Sequence, residues 1–139
     1  MFDELRRYAE LHTDDRCKRA WGFSIVLTPD HDRGAKQQIR EKLLILNAGC
    51  GIALEQHLGY SELWIPETSV RYALENSDGR LESYSAKPYR AVVIPRGCKH
   101  KLHNPGAKPA YIYEVQTGVI TDGDKVVFAD DDVDLTRGA

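Results

Sequence analysis

Pro95-Arg96-Gly97-Cys98-Lys99-His100-Lys101-Leu102-His103-Asn104 contains a tight Pro/Gly turn that delivers an imidazole, His100, onto the next extended segment. A second stretch lies upstream, Glu55-Gln56-His57-Leu58-Gly59-Tyr60-Ser61-Glu62. Glu55 and His57 are two apart on a predicted strand, so they share a face. Gly59, in the gap before Glu62, permits a bend that swings the Glu62 carboxylate back to that face. Two imidazoles and two carboxylates drawn from two distant stretches make a ligand set for a divalent metal. Zn²⁺, Mn²⁺, Fe²⁺ and Co²⁺ accept such donors, and positions would stay open for substrate oxygens. Without an ion, Glu55 and Glu62 side by side would raise a carboxylate pKa by like-charge repulsion.

Outward from these stretches, the chain from Trp21 onward reads as short β segments separated by turn residues, the pattern of an all-β barrel or sandwich. Predicted strands cover 23–27, 37–46, 52–57, 63–65, 70–74, 81–85, 91–94, 102–103, 110–116 and 126–128. Asn76-Ser77-Asp78-Gly79 suits a turn with positive φ. Pro66 stands where a strand would otherwise run on, which predicts an edge or a bulge. Ahead of this region, Phe2, Leu5, Ala9 and His12 recur at helical spacing and predict a short amphipathic helix over 2–12, packed on the main body or on a partner subunit. The acidic run Asp130-Asp131-Asp132-Val133-Asp134 predicts a solvated tail. The expected organisation is a helical extension over 1–18, a β domain over 19–130 and an acidic tail over 131–139.

Composition narrows the possible functions. With 139 residues, 42% hydrophobic and 29% charged, the chain suits one soluble globular domain. Nineteen Lys and Arg against 21 Asp and Glu leave a charge of -2, which argues against a nucleic-acid partner. The longest aliphatic runs, Leu43 to Leu46 and Ala91 to Ile94, fall far short of the roughly 20 residues a membrane span needs. Met1 to Arg7 lacks the apolar stretch of a secretory signal. Cys17, Cys50 and Cys98 show no C-x-x-C spacing, so neither a disulfide framework nor a cysteine-type zinc site is expected. A reduced, cytoplasmic location follows as an expectation.

The remaining polar and aromatic residues have two readings each. Arg96, Lys99, Lys101 and Lys108 form a basic group that is either a solvated face or a phosphate grip. Trp21, Trp64, Tyr111 and Tyr113 either line a sugar pocket or pack the barrel. Cys98 has no adjacent base and reads as a buried thiol. His103 reads as an ordinary surface-strand residue.

Taken together, the two stretches resemble the cupin superfamily, whose motifs run G-x5-H-x-H-x3-4-E-x6-G and G-x5-P-x-G-x2-H-x3-N. Pro95, Gly97, His100 and Asn104 match the second motif, with Tyr89 in place of its opening glycine. His57 and Glu62 match the first, with Glu55 where the first histidine often stands and Ser69 at the closing glycine. A narrower resemblance covers roughly residues 19 to 130. Trp21-Gly22, Asn47-Ala48-Gly49, Glu62-Leu63-Trp64, Ile94 to Gly97, His103 to Gly106 and Glu114 to Gly118 occur in the order found in the C-terminal cupin domain of type II mannose-6-phosphate isomerases.

This resemblance implies an all-β cupin double-stranded β-helix (jelly roll) with a short N-terminal α-helix, and a homodimer. It also implies a divalent metal (Zn, Mn, Co or Fe) held by Glu55, His57, Glu62 and His100. The expected activity is isomerisation of a small-molecule sugar phosphate through an enediol, with Glu114 and Lys99 as catalytic groups and Arg96, Lys101, Tyr60 and Trp64 binding substrate. The family is often fused to a mannose-1-phosphate guanylyltransferase; no Gly-rich nucleotide-binding segment occurs here, so that second activity is not expected. Two family arginines are replaced, by Tyr60 and by Val127. Their loss favours a second reading, a non-catalytic metal- or sugar-binding cupin with a regulatory or assembly role. Another cupin chemistry, such as an Fe-dependent dioxygenase, is a third.

Overall fold

The computed structural model describes residues 1–28, 38–121 and 124–128. The acidic run from Asp130 and the rest of the expected tail lie outside the described residues. One helix, α1 (Phe2–Leu11), and a 3-10 turn at Thr13–Asp15 precede eleven strands among the described residues. These are β1 (Cys17–Arg19), β2 (Gly22–Val26), β3 (Gln38–Leu46), β4 (Glu55–His57), β5 (Tyr60–Pro66), β6 (Val70–Glu75), β7 (Leu81–Ala86), β8 (Val92–Ile94), β9 (His100–His103), β10 (Ala110–Gly118) and β11 (Lys125–Val127).

All pairings are antiparallel and form two sheets, ordered β1-β2-β3-β10-β5-β8 and β11-β4-β9-β6-β7. Alternation sends every second side chain inward. In β5 the buried residues are Tyr60, Glu62, Trp64 and Pro66, and in β10 they include Ile112, Glu114 and Gln116. The apolar half of the interior joins Leu44, Leu46, Ile52, Trp64, Val92, Ile94, Leu102 and Ile112 in one cluster. Burial of this kind contributes about 25 cal/mol per Å² of apolar surface. The other half of the interior is polar, and that is where the site lies.

α1 covers the outer face of the first sheet, as one of the two sequence readings expected. Ala9 packs with Ile25, Leu43 and Ile45, with Leu5 and Tyr8 against them. Arg6 ties the helix down by pairing with Glu67 and by stacking over Tyr111 at 4.8 Å.

Two local expectations are corrected. Pro66 is neither at an edge nor in a bulge: it is the last residue of β5, an interior strand between β10 and β8. The pairing with β8 has already ended at Trp64, so the missing N–H breaks no ladder bond on that side. His103 is not a surface residue but is 4% exposed, because the chain at Gly51 bridges to it. The first predicted strand element, at 23–27, also has an unforeseen partner: the short polar edge strand β1 pairs with it.

Candidate metal centre and its cavity

β4 and β9 meet at one residue pair, Glu55 opposite His100, so both side chains point into the barrel from the second sheet. His57 follows Glu55 on the same face. The chain then crosses to the first sheet through Leu58-Gly59, where Asp124 accepts both backbone N–H groups at 3.2 and 2.5 Å. A Cβ on Gly59 would lie 2.4 Å from the Val119 carbonyl oxygen, so only glycine fits this crossing. Glu62 is thereby delivered from the opposite sheet onto the two imidazoles.

The resulting distances are short. Glu62 Oε1 is 3.0 Å from His57 Nε2 and 2.9 Å from His100 Nε2, and Glu55 Oε2 is 3.6 Å from His57 Nε2. Donor atoms of Glu55, His57 and His100 lie within 4.8 Å of one another, and the two imidazole centroids are 5.0 Å apart. The structure therefore brings all four sequence-derived ligands together.

The protonation pattern tests whether an ion fits. His100 Nδ1 is 2.9 Å from the Cys98 carbonyl oxygen, which can only accept, so Nδ1 carries the proton. In the neutral ring Nε2 is then a bare lone pair, facing a carboxylate oxygen. Nε2 of His100 and Oε1 of Glu62 are both buried without a hydrogen-bond partner, as is His57 Nδ1. Lone pairs converging in a buried space call for a cation between them, and a backbone carbonyl orienting a histidine is the arrangement found behind metal-bound imidazoles. Two carboxylates and two neutral imidazoles offset a 2+ charge, so the residues fit a divalent ion.

The charges agree. Burial alone would lower the His57 pKa, but hydrogen bonds and charge from Glu55 and Glu62 outweigh it and lift it to about 9. Burial works against ionised Glu62 too, yet the hydrogen bond from Glu114 and the two imidazoles facing it hold its carboxyl well below the usual range. Glu114 moves the other way: burial, then the charge of neighbouring Glu62, push it well above the usual range. The pair is therefore a carboxylic acid donating to a carboxylate. For Glu55, the His57 hydrogen bond and the Lys125 charge outweigh burial and lower the pKa.

A cavity of about 430 Å³ opens onto this group, lined by Glu55, His57, Tyr60, Glu62, Glu114 and Gln116 together with residues of β1, β2 and β3. Tyr60 stacks on the His57 ring at 4.4 Å and walls the cavity. His100 and Trp64 lie behind this lining: Trp64 meets His100 edge-on at 5.7 Å and donates Nε1–H to Glu114 Oε2 at 2.8 Å. The basic residues proposed from sequence are elsewhere. Lys99 stacks over Phe128 at 4.4 Å, the buried Lys101 ammonium donates to the Ile52 carbonyl at 2.8 Å, and Arg96 is exposed beside Gly118. None of the three lines the cavity.

The cations that do line it went unnoticed in the sequence: Arg19, Arg40, Lys42 and Lys125. The signal was present in β3, where Ile39, Glu41, Leu43 and Ile45 mark one face, so Arg40, Lys42 and Leu44 mark the other.

The family model described as Mannose-6-phosphate isomerase C-terminal matches residues 6–131. The chain belongs to this family. Among its curated relatives, a mannose-1-phosphate guanylyltransferase, ManC, of Salmonella typhimurium is 27% identical over 122 residues, 88% of this chain and 23% of that protein. An Escherichia coli mannose-1-phosphate guanylyltransferase is 30% identical over 100 residues, 71% of this chain and 20% of that one. The xanthan biosynthesis protein XanB of Xanthomonas campestris is 27% identical over 81% of this chain and 22% of its own. This member of the isomerase C-terminal family thus spans about a fifth to a quarter of the length of these relatives.

Among solved structures, a Bacillus subtilis oxalate decarboxylase with Mn(II) centres has a TM-score of 0.68 at 16% identity, covering 82% of this chain and 30% of that one. An oxalate oxidase has 0.57 at 18% identity, covering 64% and 45%. These likenesses establish the cupin β-barrel fold. Among the described residues no helix is long and apolar enough to cross a membrane.

Proposed function

We propose that the chain is a metal-dependent isomerase of a hexose 6-phosphate. One observation carries this reading: His100 Nε2 lies 2.9 Å from Glu62 Oε1, in the same group as the cavity-lining Glu114. Glu55, His57, Glu62 and His100 would hold a divalent ion, which supplies Lewis-acid polarisation of substrate oxygens.

The chain's own residues handle the proton. Aldose–ketose interconversion breaks a C–H bond next to the carbonyl and re-forms one at the adjacent carbon, through an enediol. Glu114 would serve both transfers. Trp64 fixes one of its oxygens, and Glu62 shares its proton. With a divalent ion held beside Glu62, the repulsion that, on top of burial, keeps Glu114 protonated would be offset, and Glu114 would then be a carboxylate able to take a proton from one carbon and return it to the neighbour. Tyr60, packed on His57, excludes water from that side of the cavity. Family membership and the mannose-phosphate relatives support this substrate class.

The same Tyr60 ring favours the second reading, a non-catalytic cupin that binds a metal or sugar, because it fills space where the resemblance places a cation. The test is direct. Protein loaded with Mn²⁺, Zn²⁺ or Co²⁺ is assayed for fructose 6-phosphate formation from mannose 6-phosphate. Turnover above a His100→Ala control supports the isomerase; binding with no turnover above that control supports the second reading.

A further inference from the structure

Gln116 is the middle member of a row of three side chains that the strand register lines up on the inner face of the first sheet. Arg40 of β3 is opposite Gln116 of β10, and Gln116 is opposite Glu62 of β5. All three line the cavity, and Gln116 is buried. Hydrogen bonds run the length of the row. Arg40 Nε donates to Gln116 Oε1 at 2.6 Å, and Gln116 Nε2 donates to Glu62 Oε2 at 3.3 Å.

The two ends of the row force the order of donors and acceptors within it. A side-chain amide has an oxygen that accepts and a nitrogen that donates, and by itself it can be turned either way round. A guanidinium has no acceptor, so the end of Gln116 that meets Arg40 is its oxygen. The nitrogen is left for Glu62, which as a carboxylate only accepts. Turning the amide over would set N–H against N–H at one end and oxygen against oxygen at the other. In a buried site such unmade hydrogen bonds are costly. Arg40 therefore decides which end of Gln116 reaches Glu62.

Glu62 in consequence has two unlike oxygens. Oε1 lies 3.0 Å from His57 Nε2 and 2.9 Å from His100 Nε2, inside the ion-binding group. Oε2 is engaged by the Gln116 amide on the β10 side. To bring Oε2 as well onto an ion seated between the imidazoles, the carboxylate would have to swing and give up that N–H. Outer hydrogen bonds of this kind orient the ligands of metal centres.

We propose that Gln116, clamped by Arg40, is a positioning residue that confines Glu62 to one ligating oxygen, Oε1, and so keeps positions on the ion open toward the cavity. The inference rests on the metal-centre reading and extends it to how much of the ion a ligand can reach. An ion with about six positions that takes one atom from each of Glu55, His57, Glu62 and His100 keeps about two for water or substrate oxygens. A Glu62 bound through both oxygens would leave about one.

Water-proton relaxation by the Mn²⁺-loaded full chain tests this, because it scales with the number of waters on the ion. Relaxation per bound Mn²⁺ should be about twice as strong in wild type as in Gln116→Met, a variant of similar length that still binds the ion. Arg40→Met, at a half-buried position, frees the amide to turn over and should lower the relaxation too. Arg40→Lys, which keeps a donor-only cation, should hold the wild-type value. The Arg40→Met and Gln116→Met double variant should fall no further than Gln116→Met alone, because Arg40 acts through Gln116. A residue that only packs the barrel would lower thermal stability when replaced and leave relaxation per bound Mn²⁺ unchanged. That unchanged value in either single Met variant overturns the clamp and leaves the metal centre standing. No Mn²⁺ on wild type, or equal Mn²⁺ binding by His100→Ala, overturns the metal centre and the clamp with it.

Discussion

Trp64 donates its indole Nε1–H to Glu114 Oε2 at 2.8 Å, with both side chains buried on adjacent interior strands. This bond holds the proton-bearing carboxyl beside Glu62. Trp64→Phe keeps most of the ring packing but leaves Oε2 without that donor. Losing a buried partner of this kind costs about 1–3 kcal/mol, to be read from urea unfolding. The variant should keep its metal, since Trp64 is not among the proposed ligands.

His57→Ala, Glu62→Ala and His100→Ala each remove a donor atom from the ion-binding group. Metal analysis of protein purified without chelator should show an ion in wild type and its loss in the three variants. The affinity loss should exceed the roughly 10–100-fold that outer positioning changes produce. Retention of metal in all three would show that the ion, if any, lies elsewhere.

Metal uptake should release a proton. In the metal-free protein the His57 pKa stands near 9, against about 6.5 for a free imidazole. Its contribution to stability, up to about 3 kcal/mol, is therefore fully present below about pH 6.5 and is lost as pH rises through about 9. A ligand imidazole must be neutral, so binding at pH 7.5 should expel close to one proton per ion. Calorimetry in two buffers of different ionisation enthalpy measures this number. A value near zero would mean that His57 is already neutral.

Gly97→Ala should cost about 1–2 kcal/mol, because the residue sits at φ +82 in the left-handed region. No neighbouring atom lies within 4 Å of the added methyl position, so the cost is backbone strain rather than collision. The turn also grips the site: Gly97 N–H donates to the His57 carbonyl at 2.7 Å, and its carbonyl accepts from Gln56. Metal affinity should fall together with thermal stability.

The ligand set was legible because it rests on local rules. Alternation put Glu55 with His57, and the Pro95/Gly97 turn placed His100 at the head of β9. The same alternation puts Lys99 and Lys101 on the face opposite His100, and so away from the cavity. Tyr89 shows how a motif can be kept under a changed residue. It replaces the opening glycine of the second cupin motif, yet takes φ +63 and rests its ring 5.9 Å from that of Phe2.

Amino-acid order alone therefore settled the all-β class and picked out the four residues of the candidate metal centre, since both follow from periodicity and spacing within short stretches. It left open which cations face the ligand and how Glu62 and Glu114 divide one proton. Those outcomes arise where β3 and β5 each pair with β10, across sequence separations of 46 to 80 residues. Only that lateral register sets which charges share one cavity, and burial then makes their interaction strong enough to move a proton.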